Sequence, residues 1–388
     1  MSGFDKLYQQ VVKSSLGQDM LQIREDSPYH REANVLEHTR MCLQWYEDNV
    51  ARSRTPTQRI LTKLALLFHD VGKPMARTEK RSEERGVYFS YPGHELFSAN
   101  LFEDYALSQW QLFEKEVELV HNELNQVRCL IEHHLPYDKT GRDKLIALKT
   151  HMMCLGGEEL IQMYYDVLRS DAHGRISDDI GGTFARVEEW IAKFALTQPL
   201  METSKELDTP YMIVAIGASG SGKSSLFYER FSYDDADGPS EYLFSLDEHR
   251  VGFYVSRQTG NEPDYHKAWN YCHRSEDKEV EKAFDKYCLE AFMVLIKRKG
   301  NIFLDISNVS AKARRKWITL ARQHSYMVHA VRFHVPFDVC VARQATRNDK
   351  SIPTSSIRDQ YFRISTPLVG TEVDTLGSVY SYDFSEVK

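Results

Sequence analysis

Long apolar runs are missing from this chain. No 18 consecutive apolar residues occur among its 388 residues, so no membrane-spanning helix is expected. The opening residues, MSGFDKLYQQVVKSS, lack the apolar core of a secretory signal. Glycine stands at position 3 and not at 2, which departs from the myristoylation pattern. The six cysteines are scattered at 42, 129, 154, 272, 288 and 340, with no C-x-x-C pair. That spacing argues against a disulfide framework or a zinc ribbon and makes a reducing cytoplasm the expected setting. Positive charge is not in excess, and the net charge is -7. Bulk electrostatic binding to nucleic acid is therefore disfavoured, which leaves local basic patches to do any such work. Repeats and low-complexity tracts are also lacking.

What is present suits soluble globular domains. The composition is 42% hydrophobic and 27% charged, enough apolar material for two full cores. The halves differ in pattern. Residues 1–200 read as all-helical, with apolar residues at helical spacing in 55–69, 96–107, 117–134 and 158–168. Residues 198–210 (QPLMETSKELDTP) read as a linker. From 210 to 388, short apolar runs at 211–216, 242–246, 302–304 and 327–335 alternate with helical segments. That alternation predicts an α/β domain with a parallel sheet.

The eight residues Gly217-Ala218-Ser219-Gly220-Ser221-Gly222-Lys223-Ser224 form a phosphate-binding P-loop motif between an apolar run and a helix start. Glycines at 217, 220 and 222 let several backbone N–H groups converge on one anion. Lys223 is expected at the β/γ-phosphates, and Ser224 on Mg²⁺. Ser221 and Ser225 complete the nucleotide cradle. Asp247 lies just past a strand, where a carboxylate can take a proton from an attacking hydroxyl. Arg250 stands one helical turn on and could fork onto a substrate phosphate. Asp305 ends a further strand, with Asn308 close behind. A basic run, Arg314 to Lys316, suits a solvated face or a substrate role equally. Arg343 and Arg347, at i and i+4, are expected on one helix face as a lid over the nucleotide.

This set resembles the 5′-OH polynucleotide kinases among P-loop phosphotransferases. The resemblance implies Asp247 as general base, Arg250 on the acceptor's 3′-phosphate and Arg347 on the ATP phosphates. Residues from about 251 to 298 depart from it as a long insert without an assigned role.

Histidine concentrates in the first half. His69-Asp70 ends an apolar helix, and an adjacent imidazole and carboxylate can share a metal. Glu37-His38, His94-Glu95, His133-His134 and Ser170-Asp171 accompany it. Their order resembles the HD phosphohydrolase family, a helical metal-dependent fold. The resemblance implies His38, His69, Asp70 and Asp171 as ligands. It adds His94 with His133 or His134, the latter favoured, at a second site, and Lys73 near the phosphate. Mn²⁺, Ni²⁺, Fe²⁺, Co²⁺ and Zn²⁺ all suit such donors.

The whole chain resembles the HD-Pnk family of end-healing enzymes. That implies an ATP- and Mg²⁺-dependent 5′-OH kinase joined to a phosphohydrolase acting on 2′,3′-cyclic, 2′- or 3′-phosphate ends of RNA, with DNA also open. An RNA ligase would follow it. Two alternatives stand beside it: an HD nucleotidase fused to a small-molecule or nucleoside kinase, and a nucleotide-switched regulatory protein.

Overall fold

The computed structural model describes residues 2–24, 30–83, 86–136, 141–200, 209–231, 234–235, 238–239, 241–258, 262–273, 278–347, 350 and 352–380. Much of the expected linker, residues 201–208, lies outside them, as do 259–261 and 274–277 of the insert. Contacts divide the chain into two units. One holds Met1–Glu202 with Leu368–Thr371, and the other Thr203–Pro367 with Glu372–Lys388.

The first unit is helical. Helix Pro56–Phe68 shows why: Thr55 and Gln58 form a reciprocal capping box and proline opens the first turn. Leu61, Leu64, Ala65, Leu67 and Phe68 are then buried along it, and the helix ends at His69. Asn34 caps helix Val35–Asn49 by accepting from the Glu37 N–H at 3.0 Å, which sets His38 one turn in. The 32-residue helix Arg142–His173 is broken at Gly157, whose φ of 62° takes it out of helical conformation. Its last turn carries Asp171.

Two expectations about this unit are corrected. It is not wholly helical, because Thr78–Ser82 pairs antiparallel with Gly86–Ser90. The first of these strands is polar and exposed throughout, so it has no apolar alternation to read. The helix expected over 117–134 is two helices, Trp110–Val117 and His121–Glu132. Glu118 interrupts them at φ 56°.

The second unit has a parallel sheet ordered Glu241–Ser245, Asn301–Asp305, Tyr211–Ile216, Met327–His334, Thr375–Tyr380. The inner strands Tyr211–Ile216 and Asn301–Asp305 are mostly apolar, as strands of a sheet covered on both faces are, while Met327–His334 mixes apolar residues with His329, Arg332 and His334. The edge strand Thr375–Tyr380 was not foreseen; its sequence, TLGSVY, has glycine and serine where a buried strand has branched apolar residues. Parallel pairing aligns Ser245 with Asp305, so the Asp247 and Asp305 ends lie side by side. The P-loop strand Tyr211–Ile216 is next in order.

Candidate functional site

In the helical unit, five helix ends bring histidines and carboxylates together. His38, His69, Asp70, His94, His134 and Asp171 are all buried. The four imidazoles share one device: each Nδ1 faces a backbone carbonyl. His38 faces Gly174 O at 3.0 Å, His69 Leu66 O at 2.7 Å, His94 Tyr91 O at 2.8 Å and His134 Ile131 O at 2.8 Å. A carbonyl can only accept, so Nδ1 carries a proton, and in the neutral ring Nε2 is the nitrogen left for a metal.

Those four Nε2 atoms converge with two carboxylates. The His38 and His69 Nε2 atoms are 3.3 Å apart. Asp171 Oδ1 is 3.0 Å from the first and 3.7 Å from the second. Asp70 Oδ2 lies 3.6 Å from His38 and 3.3 Å from His69. Its other oxygen, Oδ1, lies 3.0 Å from His94 Nε2 and 3.8 Å from His134 Nε2. Asp70 thus spans two of the three candidate metal-binding groups among the described residues, His38–Cys42–His69–Asp171 and Asp70–His94–His134. His134, and not His133, belongs to the second.

The donor set fits divalent transition metals. His94 Nε2 supplies an observation in the same direction. It is buried, lies 3.0 Å from Asp70 Oδ1, and lacks the geometry of a hydrogen bond. Burial, with His69 and His94 beside it, pushes His134 down to about 3, which favours the neutral ring a metal needs. Burial works against charge on Asp70, but His69 and Lys73 hold its carboxyl well below the ordinary range. Lys73 is buried with Nζ 2.8 Å from Asp70 Oδ2, which places it at the cluster.

Three residues at this cluster escaped the sequence reading. Arg175 pairs with Asp171 Oδ2, and its spacing of four was the available signal. Cys42 lies one turn beyond His38 and within the first group. Burial, then Asp171 and Asp70, raise its thiol well above the usual range, so it stays protonated. Glu32 is buried, accepts from the Ile176 N–H at 2.6 Å, and lies 3.4 Å from His30 and 3.8 Å from His38.

In the second unit, the P-loop has the conformation its glycines allow. Gly220 and Gly222 sit at φ 86° and 95°, and a Cβ on Gly220 would overlap the Cys340 carbonyl. Helix Lys223–Arg230 begins directly after Gly222. Lys223 is buried and donates to the Gly217 and Ala218 carbonyls at 2.9 and 3.0 Å. Burial lowers its pKa, against the pull of Asp305. Ser224 donates to Asp305 Oδ2 at 2.6 Å. That pair suits Mg²⁺, a hydroxyl and a carboxylate side by side. Ser219 donates from both N and Oγ to Gln360 Oε1 at 2.9 Å. Ser221 is buried and Ser225 exposed in the first helical turn.

Asp247 occupies the first turn of helix Leu246–Arg257. Its Oδ1 accepts from Arg250 and its Oδ2 pairs with Lys350. Lys350 escaped the sequence reading, because an isolated lysine carries no spacing signal. Burial and the Lys223 charge push it down to about 8. Arg250 is buried, its guanidinium 4.6 Å above the Trp269 ring.

Other expectations here are corrected. Arg343 and Arg347 do not share a helix face, because helix Phe337–Ala345 ends at the Thr346 cap before Arg347. Arg347 is nonetheless near enough to Lys223 to disfavour its charge. Arg314 is neither solvated nor at a substrate. It is wholly buried and holds Glu372, the Asn308 carbonyl and the Ser365 carbonyl. Asn308 serves the fold as well, its amide donating to Ala215, Leu304 and Ile306 carbonyls at 2.9–3.3 Å.

Comparisons with known proteins bear on this unit. A family model described as an AAA domain matches residues 212–367. A protein of Autographa californica nuclear polyhedrosis virus, named "Putative bifunctional polynucleotide kinase/RNA ligase", is 23% identical over 170 residues. That stretch is 44% of this chain and 23% of the viral protein, so the chain matches about a quarter of its relative. A solved structure from Chloroflexus aurantiacus, titled a "putative kinase", covers 46% of this chain and 92% of its own at 15% identity, with a TM-score of 0.31. The second unit is thus a P-loop, kinase-like domain of the AAA type on a parallel sheet, and the first unit is helical.

Proposed function

We propose that this chain heals broken polynucleotide ends by two chemistries. The second unit transfers the γ-phosphoryl group of ATP to a 5′-OH. The first removes a 2′,3′-cyclic, 2′- or 3′-phosphate, and RNA is the intended substrate. An RNA ligase would join the products. The observation that carries the reading is the pairing, in one chain, of a carboxylate beside a P-loop with a buried six-residue histidine–aspartate cluster. The relative named for a polynucleotide kinase supports the first half. Resemblance to HD phosphohydrolases supports the second.

In the kinase, Asp247 accepts the 5′-OH proton and Arg250 holds acceptor phosphate. Lys223 leaves its own loop carbonyls for the β/γ-phosphates, and Arg347 adds charge to the transferring group. Ser224 and Asp305 would hold Mg²⁺, which neutralises phosphate charge when bound.

In the hydrolase, His38, His69, Asp70 and Asp171 would hold one ion, and His94 and His134 with Asp70 a second. Such ions supply Lewis acidity and lower the pKa of a water. Lys73 and Arg175 place positive charge where phosphate oxygens arrive.

Labelled ATP with 5′-OH RNA, 5′-OH DNA and free nucleosides as acceptors tests the first half. Label is expected on RNA; label on nucleosides alone would overturn it. RNA bearing a 2′,3′-cyclic phosphate tests the second, with release expected in Mn²⁺, Ni²⁺ or Co²⁺ and abolished by chelation. Full turnover by stripped protein would remove the metal role.

A further inference from the structure

We propose that helix Tyr265–His273 is the stacking platform for the bases of a single-stranded polynucleotide acceptor. This rests on the kinase reading above and gives the unassigned insert a task. Tyr265, Trp269 and His273 are spaced by four and lie along one helix face. Their rings form a row, or ladder: Tyr265 and Trp269 are tilted by 31° with centroids 6.4 Å apart, and Trp269 meets His273 edge to face at 4.2 Å. The flank next to Tyr265 and the far side hold the helix to the domain: Ala268 and Cys272 are buried, and Tyr271 meets Phe253 and Tyr254, while Tyr265 and Trp269 are half-buried and His273 exposed.

The ladder begins at the general base. Lys350 lies 4.9 Å over the Tyr265 ring and Arg250 4.6 Å over the Trp269 ring. These are the same two cations that hold the Asp247 carboxylate. Aromatic rungs interleaved with cations match a nucleic-acid strand, whose bases stack while its phosphates need charge. A bare nucleoside would call instead for an enclosing pocket. Length agrees as well. Eight residues of helix rise about 12 Å, about the span of three nucleotides at roughly 3.4 Å each.

The test is kinase activity on 5′-OH oligonucleotides of one to six nucleotides. In the native chain the acceptor KM should fall with length and level off near three or four. Trp269→Ala should raise the acceptor KM about tenfold for the longer strands and flatten the length dependence, with the KM for ATP held. Trp269→Phe should restore most of the affinity. One further readout does not depend on turnover. Oligonucleotide binding should quench tryptophan fluorescence, and Trp269→Phe should abolish most of that quench. Native acceptor KM in Trp269→Ala, or an undiminished quench in Trp269→Phe, would overturn the platform while leaving the kinase reading intact. Transfer to nucleosides only would overturn both.

Discussion

The two sites hold their charges in opposite ways. In the helical unit the donors stand ready. Four imidazoles are fixed through Nδ1 and turn Nε2 inward, and Asp70 reaches both candidate metal-binding groups. In the P-loop unit the working charges are engaged with one another. Lys223 bonds its own loop, Ser224 bonds Asp305, and Asp247 carries Arg250 and Lys350. The difference follows from chemistry. Buried candidate ligands are pre-positioned by backbone partners, the four Nδ1 contacts, while Lys73 and Arg175 offset the two carboxylates. Phosphate-binding cations meet a large anion that arrives with its own charge, so local partners hold them until it comes. One site is built by burial, the other by exchange of partners.

Substitutions can break that contrast. The largest effect is expected from removing the shared carboxylate of either site. Asp70→Ala should lower phosphohydrolase turnover by at least about a thousandfold, since it takes a donor from both groups, and should spare kinase activity. Asp247→Ala should lower kinase turnover about a hundred- to ten-thousandfold and spare the hydrolase. Parallel assays of both activities on both variants check this. Loss of both activities in either variant would sink the idea of separate sites.

Lys350 sharpens the comparison at a smaller scale. A cation beside a carboxylate favours its charged form. Lys350→Met should therefore move the acid limb of the kinase pH profile upward, with Arg250 limiting the shift. Burial and Lys223 bring Lys350 itself down to about 8, so the difference between variant and native enzyme should be full below that pH and fade above it. A pH profile with unmoved acid limb would remove Lys350 from the base. The smallest effect is expected at the Thr55 cap, far along the helix from His69. Thr55→Ala should cost about 1 kcal/mol of stability in a denaturant titration, with both activities retained.

Much of this was legible in the sequence, for reasons that differ by residue. The P-loop is contiguous, so its glycines, Lys223 and Ser224 announce themselves. The parallel sheet showed as apolar runs because its inner strands are covered on both faces. His69-Asp70 was visible at the end of a periodic helix. Its company could be ordered only by resemblance, because His38, His94, His134 and Asp171 meet through tertiary packing. Where sequence reasoning failed, the signal was missing or misleading. The strand Thr78–Ser82 has no apolar face to betray it. Arg314 looked like part of a basic surface run, yet Glu372, 58 residues away, buries it. The spacing of Arg343 and Arg347 held, but the helix under it ended first.

The order of the sheet has a consequence for how such a site can vary. Asp247, Asp305 and Lys223 follow the ends of three adjacent strands. Neighbouring strands lie about 4.8 Å apart, so the sheet acts as a ruler with fixed graduations. Asp247 stands two graduations from the phosphate loop, with Asp305 on the mark between them. Side-chain changes within the strands cannot reset that interval, because hydrogen bonding fixes the pitch. On the proposed reading, acceptor choice is left to what rises above the ruler: the helices after the strands, and the aromatic row on one of them.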